Sequence, residues 1–302
     1  MTDIHAGIIW NPSKTTKEEL EAALDTGHPG KISWFETNED DPGRAATQHA
    51  LDAEVDVILA AGGDGTVRAV IEHLAGTKAE KELAIIPLGT GNLLARNLDV
   101  PLNDLPAAFT RAFEGTARPI DVGWAEVALS SGVERHAFAV MAGFGIDAHM
   151  ITETDDDLKD KAGWLAYVES LGRAVSASEV IDLRLSLNDQ AEVSESAHTL
   201  IVGNCGMLQG GITLLPDADP GDGELDLLVL HANGIAGWMD TMRNMVWDNG
   251  LKGLLTGAHE EERAESSDSV SHRRLTSLTI HLEKPRAFEV DGDNLVVPLK
   301  VV

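Results

Sequence analysis

The sequence predicts an α/β N-terminal domain on a mostly parallel sheet, followed by a C-terminal β-rich sandwich domain. Three observations carry this. Apolar strand runs alternate with helical patterns up to about Ile120, the signature of a parallel sheet covered by helices. Beyond it short β-rich runs separated by turn residues dominate, which suggests a largely antiparallel sandwich. Two glycine-rich turns in the first part each follow an apolar strand and open a helix. The expected division is residues 1–120 and 121–294, with a last strand at about 295–302 returning to the first domain.

In order, Ile4 to Trp10 is apolar and β-rich. Thr15-Thr16-Lys17-Glu18 is a capping-box pattern, opening a helix with Leu20, Ala23 and Leu24 on one face. Lys31 to Glu36 reads as a strand and Pro42 to Ala53 as a helix. The run Val55 to Ala61 delivers Gly62-Gly63-Asp64-Gly65-Thr66 to a helical pattern from Val67 to Leu74, and Leu83 to Ile86 delivers Pro87-Leu88-Gly89-Thr90-Gly91-Asn92 to another helix. Leu102 to Glu114 adds a further helix. The later strand runs are Trp124–Leu129, Ala137–Met141, Ile181–Leu187, His198–Val202, Leu225–Leu230 and Ser277–Leu282. Helical stretches interrupt them around Leu158–Val175 and Ile235–Leu255, and Glu260–Ser271 reads as an exposed polar loop.

Composition limits the function. The 302 residues are 43% hydrophobic, enough for a large core. No apolar run reaches the length of a membrane span. Met1-Thr2-Asp3 is not basic, so no secretory signal is expected there. A single cysteine, Cys205, forbids an intrachain disulfide and suits a reducing cytoplasm. The net charge of −27, from 50 acidic and 23 basic residues, argues against a nucleic-acid partner. It also implies repulsion from an anionic bilayer.

The turn at Gly62–Thr66 places a glycine-rich backbone at a helix start, where N–H groups point outward and the helix dipole favours an anion. Asp64 there makes sense if a cation lies between it and a phosphate. A packing turn is the alternative. Asn11, Thr37, Gly62–Thr66 and Gly89–Asn92 all fall at the carboxyl ends of strands, where such sheets bind ligands.

The pairing of these two turns resembles the catalytic domain of the diacylglycerol kinase family, a superfamily that includes bacterial lipid kinases and, more distantly, NAD kinases. Asn11-Pro12, Thr37, Asp121-Val122-Gly123, Gly143-Phe144-Gly145-Ile146-Asp147, Gly203-Asn204, Pro216 to Gly223 and Asp291-Gly292-Asp293 continue the resemblance along nearly the whole chain. It implies that Asn11, Pro12, Thr37, Gly62, Gly63, Asp64, Gly65, Thr66, Gly89, Thr90 and Asn92 hold ATP, with Asp64 and Asp121 in a Mg²⁺ network. Asp121 read alone is a turn residue between helix and strand. Many bacterial relatives have an acidic residue where this chain has Leu93.

The resemblance also implies a structural Mg²⁺ on the Asp222 side chain and the carbonyls of Asp219 and Glu224. A solvated acidic turn is the other reading. Asp291-Gly292 is a hairpin-turn signal. By resemblance the turn's carboxylates act as the base that takes the acceptor proton, Asp293 in the family's usual glutamate position and Asp291 assisting. The apolar stretch Trp238, Met239, Met242, Met245, Trp247, Leu251 reads as core, or alternatively as an acyl-chain cleft. The function implied is an ATP- and Mg²⁺-dependent lipid kinase, cytoplasmic and peripheral to the membrane, acting on diacylglycerol or a related lipid alcohol at a membrane surface. A kinase of a soluble hydroxyl compound and a nucleotide-binding regulator without turnover are the alternatives. Oligomeric state stays open, a homodimer included.

Overall fold

The computed structural model describes residues 4–24, 30–129, 132–145, 179–208, 213–231, 270–295 and 300–301. Ile146, Asp147, the helical stretches around 158–175 and 235–255, and most of the 260–271 loop lie outside the described residues. The chain divides into two compact units, Met1–Val122 with Ala137–Val140, and Gly123–His136 with Met141–Val302.

The first unit runs β1 (Ile4–Trp10), α1 (Lys17–Ala23), β2 (Gly30–Glu36), α2 (Arg44–Asp52), β3 (Val57–Gly62), α3 (Asp64–Thr77), β4 (Glu82–Pro87), α4 (Leu93–Asn97) and α5 (Leu105–Glu114). Its four strands pair in parallel in the order β2-β1-β3-β4. α1 begins one residue later than the sequence pattern suggests: Thr16 is the N-cap and its reciprocal partner is Glu19. Ala6, Ile8, Val57, Leu59, Ala61 and Ile86 of the sheet pack with Leu20 of α1 and Phe109 of α5. α2 and α3 pack on each other and on β1 to β3. The alternate residues Ile9, Ile58 and Ala60 are therefore buried as well. A strand covered on both faces reads as one continuous apolar run, which is why β3 was plain in the sequence.

Chain order reverses direction across the sheet between β1 and β3. Such switch points leave a crevice at the carboxyl ends of the two strands. Asn11 follows β1 and Gly62 ends β3, and the Asn11 N–H donates to the Ala61 carbonyl at 3.0 Å.

The second unit holds β5 (Gly123–Leu129), β6 (Gly132–Phe138), β7 (Met141–Phe144), β8 (Ile181–Leu187), β9 (Val193–Gly203), β10 (Leu225–His231), β11 (Val270–Leu275), β12 (Leu278–Leu282), β13 (Phe288–Val290), β14 (Asp293–Leu295) and β15 (Lys300–Val301), the end of β6 falling with the first unit. They form one 11-stranded sheet. The expected strand Ala137–Met141 is two strands, β6 and β7, broken at Ala139-Val140. β9 starts five residues before the expected His198, because its polar first half pairs with β8 along a solvated face. The loop expected to reach Ser271 gives way to β11, whose polar side chains hid a ladder to β10. The last strand was expected to return to the first domain. Lys300–Val301 pairs instead with β12 and β5, in the second sheet.

Candidate functional site

In the first unit, the carboxyl ends of the strands gather the predicted nucleotide residues. Thr37 follows β2 and its N–H donates to the Trp10 carbonyl at 3.0 Å. Asn11 uses its side-chain oxygen to accept from the Ser13 N–H (2.9 Å) and hydroxyl (2.7 Å), shaping the turn that contains Pro12. Its amide nitrogen lies 3.4 Å from the Thr66 hydroxyl. Asn11 therefore links the end of β1 to the first turn of α3.

The two glycine turns are clasped together by Asp64. Its Oδ2 accepts the Asn92 N–H at 2.8 Å and its Oδ1 the Leu93 N–H at 2.6 Å. One carboxylate thus satisfies two of the N–H groups that the start of α4 leaves open. Asn92, buried and left-handed with φ 47°, locks its own turn. Its side chain donates to the Gly89 carbonyl at 2.6 Å and accepts the Gly89 N–H at 2.9 Å. Arg96 Nε holds the Gly91 carbonyl at 2.7 Å. The glycines are there for close approach: a Cβ on Gly89 would come within 2.8 Å of the Gly63 Cα, and one on Gly91 within 2.7 Å of Asp64 Oδ2. Packing and phosphate binding, alternatives in the sequence, are compatible here. The clasp fixes the turns, and Gly63, the N-cap of α3, provides no side-chain cap.

Thr37 carries the other signal. It is 3% exposed, and its hydroxyl has no hydrogen-bond partner among the described residues. A buried hydroxyl left unpaired costs about 1–3 kcal/mol, a cost that a ligand bonding it would remove. Gly65 is half-buried, Thr66 is buried and Thr90 is exposed. Asp121 lies half-buried between α5 and β5. Among the described residues no three His, Cys, Asp or Glu side chains converge as a metal-holding group. Mg²⁺ near Asp64 or Asp121 would draw on nucleotide oxygens and water, its usual habit in kinase sites.

In the second unit, Asp291-Gly292 joins β13 to β14 as a two-residue hairpin with positive φ at both positions, 48° and 86°, the turn that Asp-Gly favours. The two carboxylates are not alike. Asp291 is 5% exposed; its Oδ1 accepts the Met141 N–H at 2.9 Å and its N–H returns to the Met141 carbonyl at 2.9 Å. Asp293 opens β14 opposite Val290 and is only half-buried. Asp291 sits in the left-handed turn and Asp293 in the strand that follows it.

The loop before β10 holds Asp219, Asp222 and Glu224. The Asp222 carboxylate accepts the Glu224 N–H at 3.0 Å and pairs with Arg274 of β11. Beneath it Asp226 is 7% exposed. Burial, with Asp217 and Glu224 adding repulsion, pushes its carboxyl from 3.8 up to about 6. Asp226 and Arg274 were not singled out in the sequence. Their roles follow from the β10–β11 register, which sets them opposite each other, and no local pattern encodes that.

Asp226 gives a pH dependence. Between 3.8 and about 6 the folded chain keeps a proton that the unfolded chain has lost, so stability falls as pH rises through that window. Asp226→Asn is therefore expected to be more stable than wild type at pH 8, by on the order of 2–3 kcal/mol, and equal to it below the window. Thermal unfolding of both proteins across pH checks this; parallel curves would refute it.

Known proteins place this geometry. Residues 5–125 match the family model described as diacylglycerol kinase catalytic domain, and residues 140–299 match the YegS C-terminal NAD kinase beta sandwich-like domain. The chain is 34% identical over 272 residues to "Probable lipid kinase YegS-like" of Pseudomonas aeruginosa (strain UCBPP-PA14), covering 86% of this chain and 84% of that one. It is 31% identical over 196 residues to "Diacylglycerol kinase" of Bacillus subtilis (strain 168), covering 65% and 61%. In fold it is similar to the crystal structure of a diacylglycerol kinase from Bacillus anthracis str. Sterne, with TM-score 0.68, 22% identity, and 100% and 94% of the two chains covered. With clasped glycine turns in an α/β unit and an antiparallel second unit that both family models match, this chain belongs to the diacylglycerol kinase catalytic-domain family of lipid kinases.

Proposed function

We propose that this lipid kinase transfers the γ-phosphoryl of ATP to the hydroxyl of a lipid alcohol met at a membrane surface, diacylglycerol being the first candidate. The observation that carries the nucleotide half is the Thr37 hydroxyl, buried and, among the described residues, unpartnered at the carboxyl end of β2, on the same edge of the sheet as the other strand ends that carry the clasped turns. Phosphoryl transfer asks the protein mainly for positioning and charge neutralisation. The first N–H groups of α3 suit a polyphosphate. Mg²⁺, when bound, would neutralise charge on the β- and γ-oxygens, with Asp64 and Asp121 as its protein contacts, directly or through water. Asp293 is the proposed proton acceptor, because it is the less buried carboxylate of the hairpin and is not tied to Met141. Asp291 is the positioning residue that pins the hairpin.

Thr37→Val removes the hydroxyl and keeps the shape. It is expected to weaken ATP binding roughly three- to tenfold, the worth of one hydrogen bond, with no fall in Tm, since nothing among the described residues bonds that hydroxyl. Titration calorimetry with ATP measures it. Wild-type affinity in the variant would remove the support that Thr37 gives to the nucleotide assignment.

A further inference from the structure

We infer that the acidic loop ahead of β10 is neutralised by the guanidinium of Arg274 and not by a divalent cation. The family resemblance implies Mg²⁺ on the Asp222 side chain and on the carbonyls of Asp219 and Glu224. The donor set does not fit that ion. Arg274 Nη2 pairs with Asp222 Oδ2, and Nη1 lies 3.1 Å from Glu224 Oε2. Asp222 Oδ1 accepts the Glu224 N–H at 3.0 Å. The Asp219 carbonyl accepts the Asp222 N–H at 3.4 Å, and Asp219 Oδ1 the Gly221 N–H at 3.0 Å. The carboxylate and one of the two carbonyls required are thus already engaged within the chain.

A second cation on Asp222 would sit against a charge that cannot be titrated away, since arginine stays protonated. Mg²⁺ also demands near-octahedral oxygen geometry and sheds water reluctantly. A planar guanidinium, by contrast, serves two carboxylates at once with charge-assisted hydrogen bonds. The device is built into the fold: Arg274 stands directly across the β10–β11 ladder from Asp226, so strand pairing delivers the cation to the loop.

The test is thermal unfolding of the full chain without nucleotide or lipid, so it is independent of the kinase assignment. Wild type is expected to show the same Tm in EDTA and in excess Mg²⁺ or Ca²⁺. Arg274→Met keeps an apolar stem without charge. In EDTA it is expected to melt roughly 1–2 °C lower, as losing a partly exposed ion pair implies for a chain of this size. A wild-type Tm that falls in EDTA, with the response abolished by Asp222→Asn, would overturn the proposal even if the arginine variant failed to fold. An Arg274→Met protein as stable in EDTA as wild type would overturn it too.

Discussion

Asp64→Asn is expected to lower kcat/KM on the order of 10²–10³-fold, the usual cost of losing one preorganised group that stabilises transition-state charge. The carboxylate accepts the N–H groups of both Asn92 and Leu93, and in the proposed function its charge would also meet a phosphate-bound cation. Asparagine keeps one acceptor but turns an NH₂ toward a backbone N–H, so one donor loses its partner and faces another donor. The turns should splay, costing about 1–3 kcal/mol of stability. Asp64→Glu separates these two roles, since it keeps the charge but moves it a methylene away from the clasp. Kinetics and Tm of both variants distinguish them. Asp64→Asn activity within about threefold of wild type would contradict the assignment, because transition-state losses are far larger.

The hairpin carboxylates give the second large effect. Asp293→Asn is expected to lower kcat by roughly 10²–10⁴-fold, the range for a general base, with ATP affinity and Tm unchanged. Asp291→Ala, which removes the acceptor, should do the reverse. Its buried oxygen holds the Met141 N–H at 2.9 Å, so the loss should appear first in Tm, with any kinetic loss following from a displaced hairpin. Fully active Asp293→Asn would exclude it as the base. Full activity in both variants would make this turn a hairpin and nothing more.

Local signals explain what the sequence made legible. β8 is bounded as expected, at Ile181–Leu187, because its alternation is clean. β3 and its turn were marked by an apolar run ending in glycines, and Asp291-Gly292 by turn chemistry alone. Long-range pairing explains what was not legible. The Asp64 clasp joins residues 28 and 29 positions apart. It was invisible because Leu93 contributes only its N–H, which every residue but proline has. Leu93 stood out in the sequence as a missing carboxylate; its backbone is in fact a ligand of Asp64. β11 was missed because Ser271, His272, Arg273 and Arg274 look like a loop until β10 lies beside them. The difference between Asp291 and Asp293 needed the left-handed turn to be seen, and the pairing of Arg274 with Asp222 needed the ladder register.

The central claim is phosphoryl transfer to a lipid hydroxyl, and label tracing tests it most directly. Purified protein with Mg²⁺, mixed micelles of diacylglycerol and ATP labelled at the γ-position should place label in the organic phase as a phosphorylated lipid. ATP labelled at the α-position should place none there, and Asp293→Asn should abolish the signal. Label that appears only as inorganic phosphate, or in NADP when NAD is supplied alongside the lipid, would contradict the assignment.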